Sequence, residues 1–459
     1  MKPGRLLEIK ALLVIALPLI FAYLADVMII ITAKMVVGRL GAMELAAAGL
    51  STDIAYQMCI VLMGFFSVVG VLVSEARGAL RREDVVPELI RGLILAAILA
   101  LVVTVVVLNL GTLLLAFGQD PQVVALAEPY YQGFAFAILP IVWFGVLRSF
   151  AAAMMRTGFV LVITVVTVVL NYFLMQGLVH GDFGLPRLGI SGAGIAWAIS
   201  MWFKCVCLGG YTLWLLRRLR LPLHRGKLGG PKAYVPLIRL GFPVAGIVAL
   251  ESGMFAATSL FSGIMGAVEL ASYQIVMGWI AIPFVISLGM SEAAMVRVAY
   301  FAGASEPQAA RQAGNLGMVV GVAIPALLML IPVLAPEFVT RVFLDPADPQ
   351  YGEIFALVAT LLIIAAVFQV FDGLQVLASH VLRGLKDASV PLVIASIGYW
   401  VIGLGSGYVF GFVWGWGAPG LWWGLSIGLA FTATLLAWRF ERLARRGSSL
   451  SSPSDPSSR

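Results

Sequence analysis

The sequence predicts an all-α polytopic membrane protein of twelve transmembrane helices, built as two pseudo-symmetric six-helix bundles. Three observations carry this. Hydrophobic residues fill 61% of the 459 positions and charged residues 12%, where a soluble globular chain has about 25% charged residues. Apolar segments of the roughly 20 residues needed to cross a bilayer recur along the whole length. The second half of the chain then repeats the first at an offset of 225 residues.

The segments, in order, are 11–33, 51–74, 92–117, 130–153, 158–179, 190–216, 236–263, 270–300, 313–336, 352–379, 388–412 and 419–438. The stretches between them are too short to bury a core of their own, which excludes a large soluble domain. The net charge of +7 is concentrated in alternate connections. Lys2, Arg5 and Lys10 precede the first segment, and Arg77, Arg81, Arg82 and Arg91 follow the second. Arg217, Arg218, Arg220, Arg225, Lys227, Lys232 and Arg239 follow the sixth, and Arg439, Arg442, Arg445 and Arg446 follow the last. The intervening loops hold few cations beyond Lys34, Arg39, Arg187 and Arg341. The positive-inside rule therefore puts both termini in the cytoplasm. The basic surplus encodes topology, so no nucleic-acid partner is expected.

Cys59, Cys205 and Cys207 all lie in apolar segments, which rules out a disulfide framework, and no histidines flank the Cys-x-Cys pair to make a metal site. The first apolar run is long enough to span and has no small-residue cleavage site, so no cleavable signal peptide is expected. Residues 1–220 are read as the first bundle, 221–232 as a basic cytoplasmic linker, 233–440 as the second bundle and 441–459 as a disordered cytoplasmic tail.

The repeat is specific. At the 225-residue offset Pro18 falls on Pro243, Asp26 on Glu251 and Gly38 on Gly263, and "GRLGAMELA" (38–46) falls on "GIMGAVELA" (263–271). With small drift, "VLRSF" (146–150) meets "VLRGL" (381–385), and "GISG" (189–192) meets "GAPG" (417–420). Six helices is an even number, so the halves are parallel repeats with a site expected near the midplane between them.

Asp26, Glu251 and Asp372 each sit inside an apolar run. A carboxylate at a helix centre costs about 2.5–3.5 kcal/mol on insertion scales, so three lipid-facing charges would cost roughly 8–10 kcal/mol. They are therefore expected to face inward, to carry a proton, or to pair with a cation. Carboxyls kept off lipid either exchange protons or, with carbonyls and water, hold Na⁺, a hard ion that prefers oxygen. The plain alternative is an acid reaching the headgroups, and it applies best to Asp26. Asp53 and Glu44 are read as interfacial. Lys204, in "SMWFKCVC", either neutralises one of the acids or reaches the cytoplasmic headgroups, the preferred reading. Asn171 suits an interhelical hydrogen bond with or without a transport role.

The glycine-rich strings "GISGAGIA" (189–196) and "GLWWGLSIG" (420–428) open apolar segments and are read as close helix packing. No "GxxxxGK[ST]" or "HExxH" string occurs, the one "GxSxG" match, "GLSIG" (424–428), lies inside an apolar segment rather than on a strand-to-helix turn, and His180, His224 and His380 are scattered, so neither ATP-driven pumping nor membrane hydrolysis is supported. No cofactor is expected.

"LIRLGFPVAG" (237–246) followed by Glu251, and "FQVFDGLQVLASHVLRGLKD" (368–387), resemble the multidrug and toxic compound extrusion transporters, the NorM-like branch in particular. The similarity extends over residues 8–440. It implies two V-shaped bundles around a central cavity, exporting organic cations and amphipathic drugs by alternating access in exchange for H⁺ or Na⁺. It also implies a monomer in the bacterial inner membrane. By that likeness Glu251 and Asp372 bind the coupling cation, with Na⁺ as one candidate ion. Asn171 and Gln274 match polar cavity residues, and Phe255, Trp279, Phe284, Phe368 and Trp400 are candidates for its adaptable apolar wall.

Two departures bear on the site. The first-span acid of the resemblance falls at Ala33, which cannot titrate, and Asp26 lies two turns earlier on the same face. Either Asp26 takes over as the coupling site of the first half or that site is lost. Phe368 replaces an aromatic hydroxyl four residues before Asp372, removing one oxygen and tilting the reading toward H⁺. A lipid-linked oligosaccharide flippase of the same architecture is the rival function, but it would want a cationic cavity, whereas the deep ionisable groups here are mainly acids.

Overall fold

The computed structural model describes residues 4–116, 118–222 and 229–450. Twelve helices in it are long and apolar enough to cross a membrane. They are α1 (Arg5–Gly38), α2 (Met43–Gly78), α3 (Arg82–Leu108), α4 (Pro121–Ala153), α5 (Gly158–His180) and α6 (Ile190–Arg218), then α7 (Pro231–Met265), α8 (Ala267–Gly303), α9 (Pro307–Leu334), α10 (Tyr351–Gly384), α11 (Ser389–Val413) and α12 (Gly417–Arg446). Each overlaps one expected segment and most extend it, because the polar and basic flanks continue the helix beyond the apolar stretch; α3 instead ends at Leu108, short of the expected 117, α9 ends two residues early and α11 starts one residue late. The last helix continues to Leu450, so residues 441–450 are helical where a disordered tail was expected. The rest of that tail, and linker residues 223–228, lie outside the described residues.

The repeat is visible in backbone detail. Gly41 (φ 158°, ψ 165°) opens α2 and Gly266 (φ 156°, ψ 173°) opens α8 in the same conformation. At both, a Cβ would collide with the carboxyl of a glutamate three residues on, 2.3 Å from Glu44 Oε2 and 2.5 Å from Glu269 Oε2. Five of the even-numbered helices end alike. Leu80, Met155, Arg220, Ser305 and Lys386 take φ between 49° and 60° just past α2, α4, α6, α8 and α10. Each is followed by an N–H that bonds the carbonyl five residues back: Arg81 to Ala76, Arg156 to Ala151, Leu221 to Leu216, Glu306 to Phe301 and Asp387 to Leu382. That bond closes the helix on its own carbonyls with a non-glycine residue in the left-handed position. In each half the fourth helix is central: α4 packs on α2 and α6, and α10 on α8 and α12.

Contacts divide the chain into two compact units, Phe21–Ala245 and Met1–Ile20 with Gly246–Arg459. This differs from the boundary expected at 220–233. The start of α1 belongs with the second unit because Glu8, 1% exposed, accepts two hydrogen bonds from Arg297 of α8, at 2.8 and 2.6 Å. Ile20 also fills the space beside Gly289. The start of α7 belongs with the first unit, where the Phe65 ring lies against Gly241. The unit boundaries therefore fall two residues after the in-helix prolines Pro18 and Pro243.

The glycine strings serve close packing as expected. A Cβ at Gly192 would lie 2.3 Å from the Leu178 carbonyl, and one at Gly194 2.3 Å from that of Tyr130. Gly420, Gly424 and Gly428 of α12 let the backbone of α11 approach so closely that a Cβ would meet it at 2.2–2.6 Å.

Candidate ion-exchange site of the second unit

The second unit holds a cluster of buried polar groups in an apolar shell. Asp372, on α10, is 2% exposed, and neither its Oδ1 nor Glu251 Oε1 on α7 has a protein hydrogen-bond partner. The two carboxyls lie near enough to act on each other electrostatically, and the Arg383 guanidinium on α10 acts on Glu251. Tyr399 of α11 is fully buried within the field of both acids, and its hydroxyl is likewise unpartnered. Gln369, one turn before Asp372, is 1% exposed with both amide atoms unpartnered. Buried polar atoms are normally hydrogen-bonded, so these oxygens are open to a partner other than a protein side chain: water or an ion.

The local structure explains the placement. Tyr399 sits in the π-helical stretch Ile397–Leu404, and such widened turns are frequent at functional sites. Trp400, next to it and 43% exposed, donates from Nε1 to the Leu250 carbonyl at 3.2 Å, fastening α11 to α7 one residue before Glu251. Met254, Tyr273, Phe368, Tyr399 and Trp422 belong to one continuous apolar cluster.

The other expected cavity residues fall in different settings. Phe255 is half-buried, edge-on to Phe368 at 6.2 Å. Phe368 itself is completely buried, with Trp422 on its other side at 5.4 Å, so it forms core beneath the acids rather than an open wall. Its ring supplies packing where the resemblance has a hydroxyl. Gln274 is exposed and donates weakly to Ser259 at 3.4 Å. Trp279 meets Phe338 edge-on, and Phe284 is half-buried.

In the first unit Asn171 is fully buried and donates to Ser200 at 3.0 Å, the interhelical bond expected of it. Ala33 lines a small cavity with Thr52, Tyr130 and Trp197. Lys204 does not reach the headgroups. It is 2% exposed, and its ammonium donates to Asp26 Oδ1. Asp26 of α1 and the Phe144 ring of α4, not its sequence neighbours, take up the ammonium.

Several buried groups were not singled out from the sequence. Arg148 and Arg383, 6% and 3% exposed, are the arginines of the repeated "VLR" strings. Their signal was present, since an arginine repeated within two apolar segments needs an internal partner. Tyr399 and Gln369 carried no such signal, because neither is costly enough in an apolar run to stand out.

The MatE family model matches the chain over residues 18–175 and 243–409, two segments that start on the paired prolines. The chain is 38% identical over 431 residues to the Burkholderia vietnamiensis multidrug resistance protein NorM, covering 93% of this chain and 92% of that protein. It is 36% identical over 441 residues to the probable multidrug resistance protein NorM of Pseudomonas putida, covering 96% and 95%. Among solved structures, the eukaryotic MATE transporter AtDTX14 superimposes with a TM-score of 0.85 at 22% identity over 97% of this chain and 99% of that one. A MATE crystal structure in the bent conformation gives 0.87 at 18% identity over 97% of each. The chain belongs to the MatE family, the multidrug and toxic compound extrusion transporters.

Proposed function

We propose that the chain is a cation-coupled multidrug antiporter, exporting organic cations and amphipathic drugs by alternating access. The observation that carries this is the pair Asp372 and Glu251: two neighbouring carboxyls in spanning helices, the first buried and the second half-buried, each with a buried oxygen that no protein donor satisfies. Two acids beside the one guanidinium of Arg383 leave an excess of negative charge that a proton or Na⁺ neutralises. A ligand moves a two-state equilibrium only by binding one state better than the other. Neutralising the pair removes the cost of burying it, which favours one opening of the protein. Discharging it favours the other, and a cationic passenger then competes for the same charge. Phe368 in place of a hydroxyl favours H⁺, while the Tyr399 hydroxyl offers an oxygen in compensation if Na⁺ is used.

The relatives named as multidrug resistance proteins support the passenger class. The loop charges support an inner-membrane setting with both termini cytoplasmic, and a monomer suffices because both halves are on one chain. The decisive experiment is ethidium efflux from proteoliposomes under separate pH and Na⁺ gradients. One gradient is expected to drive efflux by the native protein, and neither by Glu251→Gln or Asp372→Asn. Gradient-driven efflux of native size from both variants would overturn the reading.

A further inference from the structure

The two halves repeat each other in backbone but not in internal charge. Asp26 corresponds to Glu251, and Arg148 to Arg383. At the 228-residue offset that aligns "GISG" with "GAPG", Lys204 corresponds to Thr432, whose hydroxyl bonds the Gly428 carbonyl at 2.8 Å. At the 235-residue offset of the "VLR" strings, Asp372 corresponds to Ala137. At these four corresponding positions the second half carries two acids and one base, and the first half one acid and two bases.

We infer that Lys204 is a tethered counter-ion: its ammonium holds the place at Asp26 that an exchangeable cation would take, so the first half contributes no coupling ion and Glu251 with Asp372 carry the exchange alone. This rests on the antiport reading above and deepens it.

The geometry is that of a closed internal pair. Lys204 Nζ donates to Asp26 Oδ1 and lies 4.1 Å from the centroid of the Phe144 ring, so an aromatic face covers a further side of the ammonium. The space beside the pair is a cavity of about 20 Å³, lined in part by Ile29, Tyr56, Met63, Trp197 and Met201. That is room for one water molecule and no drug. The charged and titratable groups of the pair and around it lie on four helices. Tyr23 and Asp26 lie on α1, Tyr56 and Cys59 on α2, Arg148 on α4 and Lys204 on α6. Arg148 sits over the Tyr23 ring at 4.6 Å and adds positive field. A further cation entering there would meet two fixed positive charges. A mobile ion leaves when the local charge balance changes, but an ammonium on its own side chain cannot, so the pair stays neutral through the cycle.

The test counts ions released when ethidium binds the purified full-length protein, with a pH dye for protons and radiolabelled Na⁺ for sodium. The charge-neutral double variant Asp26→Asn with Lys204→Gln is expected to release the same number of ions per ethidium as the native protein. Lys204→Gln alone exposes Asp26 and is expected to add one released ion, which Lys204→Arg does not. A double variant that releases one ion fewer than native would overturn the inference, as would a folded Lys204→Gln with the native count. If Lys204→Gln does not fold, the double variant still decides. The antiport reading fails separately, if Glu251→Gln and Asp372→Asn keep the native release.

Discussion

At the scale of single residues, the site depends on polar atoms that lack fixed partners. Tyr399 is informative because it lies within the field of two acids and its hydroxyl bonds nothing in the protein. A hydrogen bond or ligand oxygen to a charged group contributes about 1.5–3 kcal/mol. Tyr399→Phe is therefore expected to weaken coupling-ion affinity by roughly tenfold or more, read as a rightward shift in the ion dependence of ethidium efflux with expression unchanged. An unshifted curve would remove Tyr399 from the ion's surroundings. At Phe368 the opposite substitution is diagnostic. Phe368→Tyr places a hydroxyl in a fully buried position between Phe255 and Trp422, and an unpaired buried hydroxyl costs about 1–3 kcal/mol. Thermal unfolding in detergent is expected to fall without Na⁺ and to recover with it if the new oxygen joins the ion's shell.

What could be read residue by residue from the sequence followed the cost of burial. Asp26, Glu251, Asp372 and Lys204 stood out because a charge in lipid is expensive; in the structure Asp372 and Lys204 are buried, and Asp26 and Glu251 half-buried. Their partners were not legible, because pairing depends on how helices rotate about their axes. So Lys204, read as reaching the headgroups, is found on Asp26. Phe368, read as wall, is found in the core for the same reason: an aromatic residue in an apolar helix gives no sign of which neighbour it meets.

At the scale of elements, helix ends and helix crossings carry the fold. The Glu8–Arg297 pair ties the first turns of α1 to α8 with two hydrogen bonds in a buried setting. Breaking a buried pair by removing one partner costs about 3–5 kcal/mol. Arg297→Ala is expected to lower the unfolding temperature markedly, whereas replacing both members with apolar residues costs much less; equal losses would show that the pair is not the source. The α11–α12 crossing tolerates no side chain at Gly424, where a Cβ would lie 2.2 Å from the Gly407 nitrogen. Gly424→Leu is expected to abolish accumulation of folded protein, and native yield on size-exclusion chromatography would refute the close crossing. The sequence predicted close packing here because the glycine string opens an apolar segment. It did not predict the π-helical stretches of α11, because a widened turn leaves no compositional trace.

At the scale of the whole molecule, duplication organises the chain, and departures from it locate function. The prolines, the glycine openings of α2 and α8, and the left-handed ends of five even helices recur. The duplication was legible as identities in chain order at an offset that drifts from 225 to 235 residues. The unit boundary was not, because the linker is where the sequence changes composition, while the division follows contacts made by α1 and α7 on either side of their prolines. Topology gives a separate check. A cysteine introduced at Arg442 is expected to react with impermeant maleimide only from the cytoplasmic side, and one at Ala347 only from the opposite side. Labelling of both from one side would overturn the orientation drawn from the loop charges.

The central claim is that Glu251 and Asp372 trade an inorganic ion for a drug. Its most direct test is the number of protons or sodium ions released when ethidium binds the purified protein carrying Glu251→Gln and Asp372→Asn together. The account predicts ion release from the native protein and none from the double variant. Ethidium binding with undiminished ion release from that variant would contradict it.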